Sequence, residues 1–247
     1  VVAPRGKMGK LIIQAVHERE DMVLSGALAA KGRDYAGMDC GMAAGLGIIT
    51  GAEVYDDIDQ AVSSCDTVID FSMTEISSAV LEKAVEYGKS RVCGTTGFTT
   101  EEMKAFEIAS EKIPVLYAAN TSTAVNCMNR LLEMASRMIG EKSDIEIIEM
   151  HDKNKLDAPS VTSKEMGHII AESLGLELDE AARYGRSGRG KRSDNEIGYH
   201  SIRSGDISSS HTVIFGMMGE RLEITHHAYN WTCFARGACD CAKFLEG

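Results

Sequence analysis

The sequence of 247 residues has no apolar run approaching the length needed to span a bilayer, so no membrane segment is expected. A disulfide framework is missing too. Seven cysteines, at positions 40, 65, 93, 127, 233, 239 and 241, show no framework spacing and mostly sit in apolar contexts. They read as free thiols of a reducing, cytoplasmic compartment. Positive charge is in short supply: 26 Lys and Arg against 37 Asp and Glu give a formal net charge of −11. That balance argues against a nucleic-acid polyanion as the main partner. No internal repeat or low-complexity linker is found, and no metal-ligand set. His226 and His227 are strand neighbours facing opposite sides, and Cys239 and Cys241 diverge on a helix. The chain opens on Val1 rather than methionine, so a few preceding residues are expected.

What is present is ordinary globular material, 44% hydrophobic and 26% charged, enough for one large or two small domains. Val1 to Gly9, VVAPRGKMG, has the form strand, tight turn, helix start. Gly6 and Gly9 occupy the second and third positions of a G-x-x-G-x-x-G turn that has Ala3 in place of the first glycine. Such a turn, here enclosing Lys7 and Met8, lets backbone N–H groups and a helix N-terminus approach a pyrophosphate. Met8, Leu11, Ile12, Ala15 and Val16 then share one helical face, and a second strand is expected over Met22–Leu28. Its end reads Ala29-Ala30-Lys31-Gly32-Arg33, with no acid to accept from the ribose hydroxyls of NAD. Two readings stay open: Lys31 or Arg33 meets the 2′-phosphate of NADP, or both are plain surface cations.

Strands and helices keep alternating. Helices are expected over 57–64, over a stretch closed by Gly88, and after a Thr99–Glu102 capping box; strands are expected over 67–71, 90–93 and 113–118. This order makes a doubly wound parallel α/β sheet, with ligands beyond its strand ends, where Asp70-Phe71, Gly94-Thr95-Thr96-Gly97 and Asn120 lie. A long helix, 124–139, opens a second domain, with Val125, Met128, Leu131, Leu132, Ala135 and Met138 on its core side and Cys127 among core positions. The methionines between 128 and 150 read as core filler. Strands over 197–202, 211–215 and 221–226 have short connections and are expected to be antiparallel, before a closing helix over 234–245. Residues 1–122 with 229–247 would form a dinucleotide-binding domain, and 123–228 an inserted α+β domain for substrate and oligomerisation. The basic run RYGRSGRGKR, 183–192, reads as a solvated flexible loop or a mobile segment near an anionic site.

The chemistry concentrates in IEIIEMHDKNKLDAPSVT, residues 145–162: a short strand, a polar run, a turn at Ala158-Pro159 and a helix start near Thr162. An imidazole at 151 and an ammonium at 155 can serve one bound molecule as proton donor and charge stabiliser. The phrase H-x-x-x-K-x-D-A-P-S-x-T resembles the signature of dihydrodipicolinate reductases. D-F-S, G-T-T-G-F and A-A-N-x-S, in order, resemble that family's cofactor-facing loops. The resemblance implies a Rossmann-like fold, NADPH or NADH as cofactor and a homotetramer built through the second domain's sheet. It implies His151 as general acid, Lys155 as substrate-binding cation, and Ser160 and Thr162 in a carboxylate cradle. Gly94, Thr96 and Asn120 would lie near the nicotinamide and its ribose, and Phe71 is a further cofactor-binding candidate.

The departures carry their own expectation. Asp152 stands where the family has a second histidine, and Val161 where it has glycine. Ser209-Ser210-His211 replaces a Gly-x-His phrase, though Arg203, Gly205 and Asp206 remain, and Trp231 stands at an often cationic position. A carboxylate at 152 would repel a dicarboxylate substrate by a few kcal/mol if both were partly buried. An altered substrate is therefore expected, a cyclic imine or unsaturated acid with one carboxylate or an amino group. The alternatives are an ordinary 4-hydroxy-tetrahydrodipicolinate reductase of lysine biosynthesis, a semialdehyde dehydrogenase using Cys127, and a non-catalytic nucleotide sensor.

Overall fold

The computed structural model describes residues 1–246. The chain divides into two compact units, Val1–Ser122 with the segment from Trp231 onward, and Thr123–Asn230. The first unit runs α1 (Lys7–His17), β1 (Gly26–Leu28), α2 (Cys40–Ala43), β2 (Glu53–Tyr55), α3 (Ile58–Ser63), β3 (Thr67–Asp70), α4 (Thr74–Tyr87), β4 (Ser90–Cys93), α5 (Thr100–Ser110) and β5 (Val115–Tyr117). Every strand pairing in it is parallel. The segment Val1–Ala3 lies between the two strand sets, because Val2 bridges Leu28 and its N–H donates to the Ile69 carbonyl at 3.0 Å. Regular pairing starts at Gly26 rather than Met22; Val23 is 90% exposed and meets no partner strand. Thr99 and Glu102 form the capping box of α5, and Gly88 ends α4 at φ 64°.

The second unit holds α6 (Thr123–Ile139), a 3-10 turn (Gly140–Lys142), β6 (Asp144–His151), α7 (Val161–Ser173), α8 (Leu178–Ala181), β7 (Ala182–Tyr184), β8 (Ile197–Arg203), β9 (Ser209–Met217) and β10 (Glu220–Ala228). α9 (Thr232–Phe244) returns to the first unit, where Ala235, Ala238 and Cys239 pack with Ile12, Ala15 and Val16 of α1. The strand order of the second unit is β10-β9-β6-β8-β7. The expectation of an antiparallel set needs correcting. β9 pairs antiparallel with β6 and β10, but β8 runs parallel to both β6 and β7. The short 204–208 link does not make a hairpin, because β8 and β9 sit on opposite sides of β6.

α6 and α7 cover one face of this sheet through Val125, Met128, Leu132, Met166 and Ile170, against Ile145, Ile147, Ile197, Val213 and Phe215. Leu131 and Met138, expected in the core, are 46% and 77% exposed. At about 100° per residue they fall roughly a quarter-turn away from the 125-128-132-135 stripe. Cys127 lies on that outer side and is exposed, and Met134 with it, so two of the four methionines between 128 and 150 are not core filler.

Candidate active site

The candidate nucleotide turn of the first unit is built by close backbone approach. A Cβ on Gly9 would lie 2.0 Å from the Ala3 carbonyl oxygen, and Gly6 N–H donates to that oxygen at 2.9 Å. Ala3 takes the left-handed backbone the missing glycine would have supplied, φ 57°. Gly6 caps α1 with no side chain to close the helix start. Lys7 Nζ lies 3.4 Å from the centre of the Trp231 ring, so the indole at the often cationic position fixes a cation instead. Met8 is half-buried, and Lys31 and Arg33 are exposed.

The loops at the ends of β3 and β4 are equally tight. A Cβ on Gly94 would lie 2.0 Å from the Phe71 ring. Thr96 is exposed beside it, and Asn120 Oδ1 accepts from Ser122 N–H at 2.9 Å. Beneath them lies a cluster that the sequence reading missed. Asp70 and Arg91 are fully buried and 2.7 Å apart. Asp70 also accepts from Ser72 N–H at 2.9 Å and from the Ser72 and Ser77 hydroxyls at 2.6 Å. Arg91 inside the strand SRVC was the available signal. A turn and loops whose backbones leave no room for Cβ atoms fit a dinucleotide laid along them.

In the second unit, β6 carries the candidate proton donor. His151 is its last residue rather than lying past its end. Period-two alternation puts Glu149 on the same face, fully buried. Glu149 Oε2 is 2.5 Å from His151 Nδ1, and Arg203 Nη1 and Nη2 donate to its two oxygens at 3.0 and 2.8 Å. Burial opposes the charge on Glu149, but hydrogen bonds from His151, Arg203 and Ser201 outweigh it and hold the carboxyl at about 2. A carboxylate can only accept, so Nδ1 carries the hydrogen and Nε2 faces away from Glu149.

Around this pair the loop folds back. His211 sits edge-on to His151, ring centres 5.3 Å apart, with Nε2 3.2 Å from Ser160 Oγ. Burial, then the neighbouring His151, pushes His211 down to about 3, so it is neutral. The Lys155 charge is also felt there. Lys155 Nζ pairs with Asp157 at 2.8 Å, and Arg203 donates to the Asp157 carbonyl at 2.6 Å. Burial opposes charge on Asp157, but the Lys155 hydrogen bond lowers its pKa below the ordinary range. Ala158-Pro159 is cis, and Ser160 caps α7, accepting from Ser163 N–H at 3.2 Å. Val161 and Thr162 form the first turn of that helix. Asp152 Oδ1 accepts from Asn154 N–H at 2.8 Å, turning the carboxylate onto its own loop. His151, Lys155 and Ser160 thus come together. Glu149 was missed, and its position two residues before His151 was the signal.

The basic run is exposed over 183–191, as expected of a solvated loop, but two of its arginines are held by acids. Arg186 binds Glu146 at 2.6 Å and also Glu196, while Arg192 binds Asp144 at 2.9 Å. His200 also meets Glu146 at 2.7 Å, and Asp144 and Glu146 lie on the face of β6 opposite His151. Among the described residues no group of three or more His, Cys, Asp or Glu is arranged for a metal ion, and no helix is long and apolar enough to cross a membrane.

A family described as "Dihydrodipicolinate reductase, N-terminus" matches residues 1–121, and "Dihydrodipicolinate reductase, C-terminus" matches 124–247. The chain is 41% identical over 248 residues to the 4-hydroxy-tetrahydrodipicolinate reductase of Alkalilimnicola ehrlichii, covering 100% of this chain and 92% of that one. It is 42% identical over 246 residues to the enzyme of the same name from Citrifermentans bemidjiense, covering 99% and 92%. Among solved structures, a dipicolinate-bound dihydrodipicolinate reductase from Paenisporosarcina sp. TG-14 shares the fold. Its TM-score is 0.79 at 24% identity, covering 99% of this chain and 92% of that chain.

Proposed function

From the premise that this chain belongs to the dihydrodipicolinate reductase family and is an NAD(P)H-dependent oxidoreductase, we propose that it is an ordinary 4-hydroxy-tetrahydrodipicolinate reductase of lysine biosynthesis. Bound along the turn of Gly6, Lys7, Met8 and Gly9 and the loops of Phe71, Gly94, Thr96 and Asn120, the nicotinamide would supply a hydride. The single observation that carries the reading is the buried Glu149 behind His151, on the loop that also holds Lys155 and the Ser160-capped helix.

Hydride addition leaves electron density on the substrate that must be met by a proton. His151 delivers it: Glu149 accepts from Nδ1, fixing the ring and leaving Nε2 to face the substrate. Lys155, held by Asp157, binds one carboxylate as a point charge. Ser160, Thr162 and the N-terminal amides of α7 cradle a second.

Two substitutions had argued for a different substrate, and their surroundings favour the ordinary one. The Asp152 carboxylate is engaged by the Asn154 amide. Val161 is the first helical residue after an extended cap, with no positive φ, so glycine's conformational freedom is not needed there. The missing acid at 29–33 favours NADPH over NADH. α6 and α7 leave the second sheet face, with Ile202 41% exposed, for a homotetramer interface.

The test is a steady-state assay on 4-hydroxy-tetrahydrodipicolinate. Wild type should turn it over, and His151→Ala should lose about 10²–10⁴-fold in kcat with a smaller change in KM. Failure of wild type on this substrate, with turnover of a monocarboxylic imine, would reinstate the altered-substrate reading.

A further inference from the structure

His211 is buried beside the candidate proton donor, 1% exposed, yet the proposed reaction gives it no task. Strand register explains its place. On β9 it pairs with Glu149 of β6 on one side and with His226 of β10 on the other. Its ring lies edge-on to His151 and near-parallel to His226, at 28° with 6.4 Å between ring centres. Held between the two, the ring has a fixed direction for each nitrogen. Nε2 meets Ser160 Oγ at 3.2 Å, and Nδ1 meets Ser209 Oγ at 3.5 Å.

The Ser160 hydroxyl sets the direction of these bonds. Its oxygen accepts from Ser163 N–H at 3.2 Å, the bond that caps α7. Ser160 is 2% exposed, so its hydrogen has no solvent to turn to, and His211 Nε2 is the acceptor within reach. A neutral imidazole with a bare Nε2 carries its hydrogen on Nδ1, which then faces the Ser209 oxygen. Glycine at 209, as in the family phrase, would offer no oxygen there. The Ser160–His211 bond joins residues 51 positions apart and ties the start of α7 to the strand that pairs with β6. A helix start carries amide N–H groups with no partner inside the helix, which is what lets it receive a carboxylate.

We infer that His211 is a positioning residue: through Ser160 it holds the N-terminus of α7 where a substrate carboxylate is received, with Ser209 fixing its tautomer. Ser160 then serves the cradle through the helix start it holds in place. The inference rests on the reading that this helix start takes one carboxylate of a dicarboxylate substrate.

The test is calorimetric binding of dipicolinate, a planar dicarboxylate, to the NADPH-saturated protein, read beside steady-state kinetics. Two neutral polar variants differ in reach. In His211→Gln the side-chain oxygen extends to the Nε2 position and can accept from Ser160, so dipicolinate affinity should stay near wild type. His211→Asn ends near the Nδ1 position and should weaken dipicolinate by about ten- to a hundredfold, raising KM by a similar factor and moving kcat less. NADPH affinity should move by less than about twofold in both. In a Ser160→Ala background His211→Asn should cost nothing further, because the bond through which it acts is already gone. His211→Leu replaces the asparagine variant if that one does not fold. Equal losses in the glutamine and asparagine variants, no loss in either, or a loss that persists undiminished in Ser160→Ala would overturn the inference. A wild type that binds no dipicolinate and does not turn over the dicarboxylate substrate would overturn the underlying reading instead.

Discussion

Glutamine at position 149 tests the buried pair behind His151, because Glu149→Gln removes one negative charge and keeps the shape. The carboxyl sits at about 2 against an ordinary 4.5, a gap of about 2.5 units, or roughly 3 kcal/mol at about 1.4 kcal/mol per unit. The side chain is 0% exposed, so solvent screening takes little from that figure. A carboxyl with a depressed pKa stabilises the fold above its ordinary pKa, and loses that contribution as pH falls from 4.5 through about 2. The stability difference should therefore be near 3 kcal/mol at pH 7 and shrink steadily below about pH 4.5. Amide exchange in β6 and β8, read beside urea unfolding at the two ends of that range, measures it locally. In the variant His151 also loses the acceptor-only partner that fixes its tautomer, so kcat should fall by on the order of 10–100-fold, as when an orienting partner of a functional histidine is removed. A stability gap of the same size at pH 3 and pH 7 would refute the electrostatic argument, and an unchanged kcat would refute the orienting role.

Three other perturbations probe other links. Ala3→Gly relieves a left-handed alanine, worth about 1–2 kcal/mol, against about 0.4–1 kcal/mol of added unfolded-state entropy. Calorimetry should show Tm higher by a few degrees, and a fall would mean the turn is not strained. Arg91→Met leaves the Asp70 carboxylate buried without its cation and should cost about 3–5 kcal/mol in urea unfolding, much of it recovered in Arg91→Met/Asp70→Asn. A single variant as stable as wild type would remove the ion pair from the account. His211 is held near 3 against 6.5, so it favours the fold above about pH 6.5, and that contribution is lost as pH falls toward 3. Between pH 6.5 and 5, His211→Gln should lose stability less steeply than wild type, by up to about 1.4 kcal/mol per pH unit, and parallel slopes would contradict this.

The legible parts of the fold were those written locally. The capping box at Thr99–Glu102, the left-handed Gly88 and the short apolar strands 67–70 and 115–117 follow from neighbouring residues alone. Non-local choices were not legible. β8 is parallel to β6 because the chain places it across β6 from β9, which no connection length reveals. Leu131, Met138 and Cys127 looked internal because an apolar residue at the border of a helical stripe does not declare which side it falls on. In the site, the loop phrase marked His151, Lys155 and Ser160. Glu149 was overlooked inside IEIIE, although its period-two spacing from His151 puts the two on one strand face. Asp152 is a related case: its charge was visible in the sequence, but the Asn154 amide that engages it was not.

The residues that break local rules each hold a neighbouring loop or ring in place. A buried ion pair such as Asp70–Arg91 gives no more stability than a well-packed apolar pair of the same volume, so folding energy does not explain its place in the core. Its geometry does. The Asp70 carboxylate also accepts from the Ser72 amide and hydroxyl, which holds the chain on either side of Phe71, whose ring lies where Gly94 leaves space. An apolar pair at 70 and 91 would fold but leave that amide without its acceptor. Glu149 repeats the logic, since an apolar residue there would leave His151 Nδ1 without its acceptor and the Arg203 guanidinium without its carboxylate. Ala3 fits the same pattern, a strained residue whose carbonyl receives the Gly6 amide and closes the turn before α1. In each case a costly arrangement fixes one loop backbone or one ring, which is the signature of preorganisation rather than of packing.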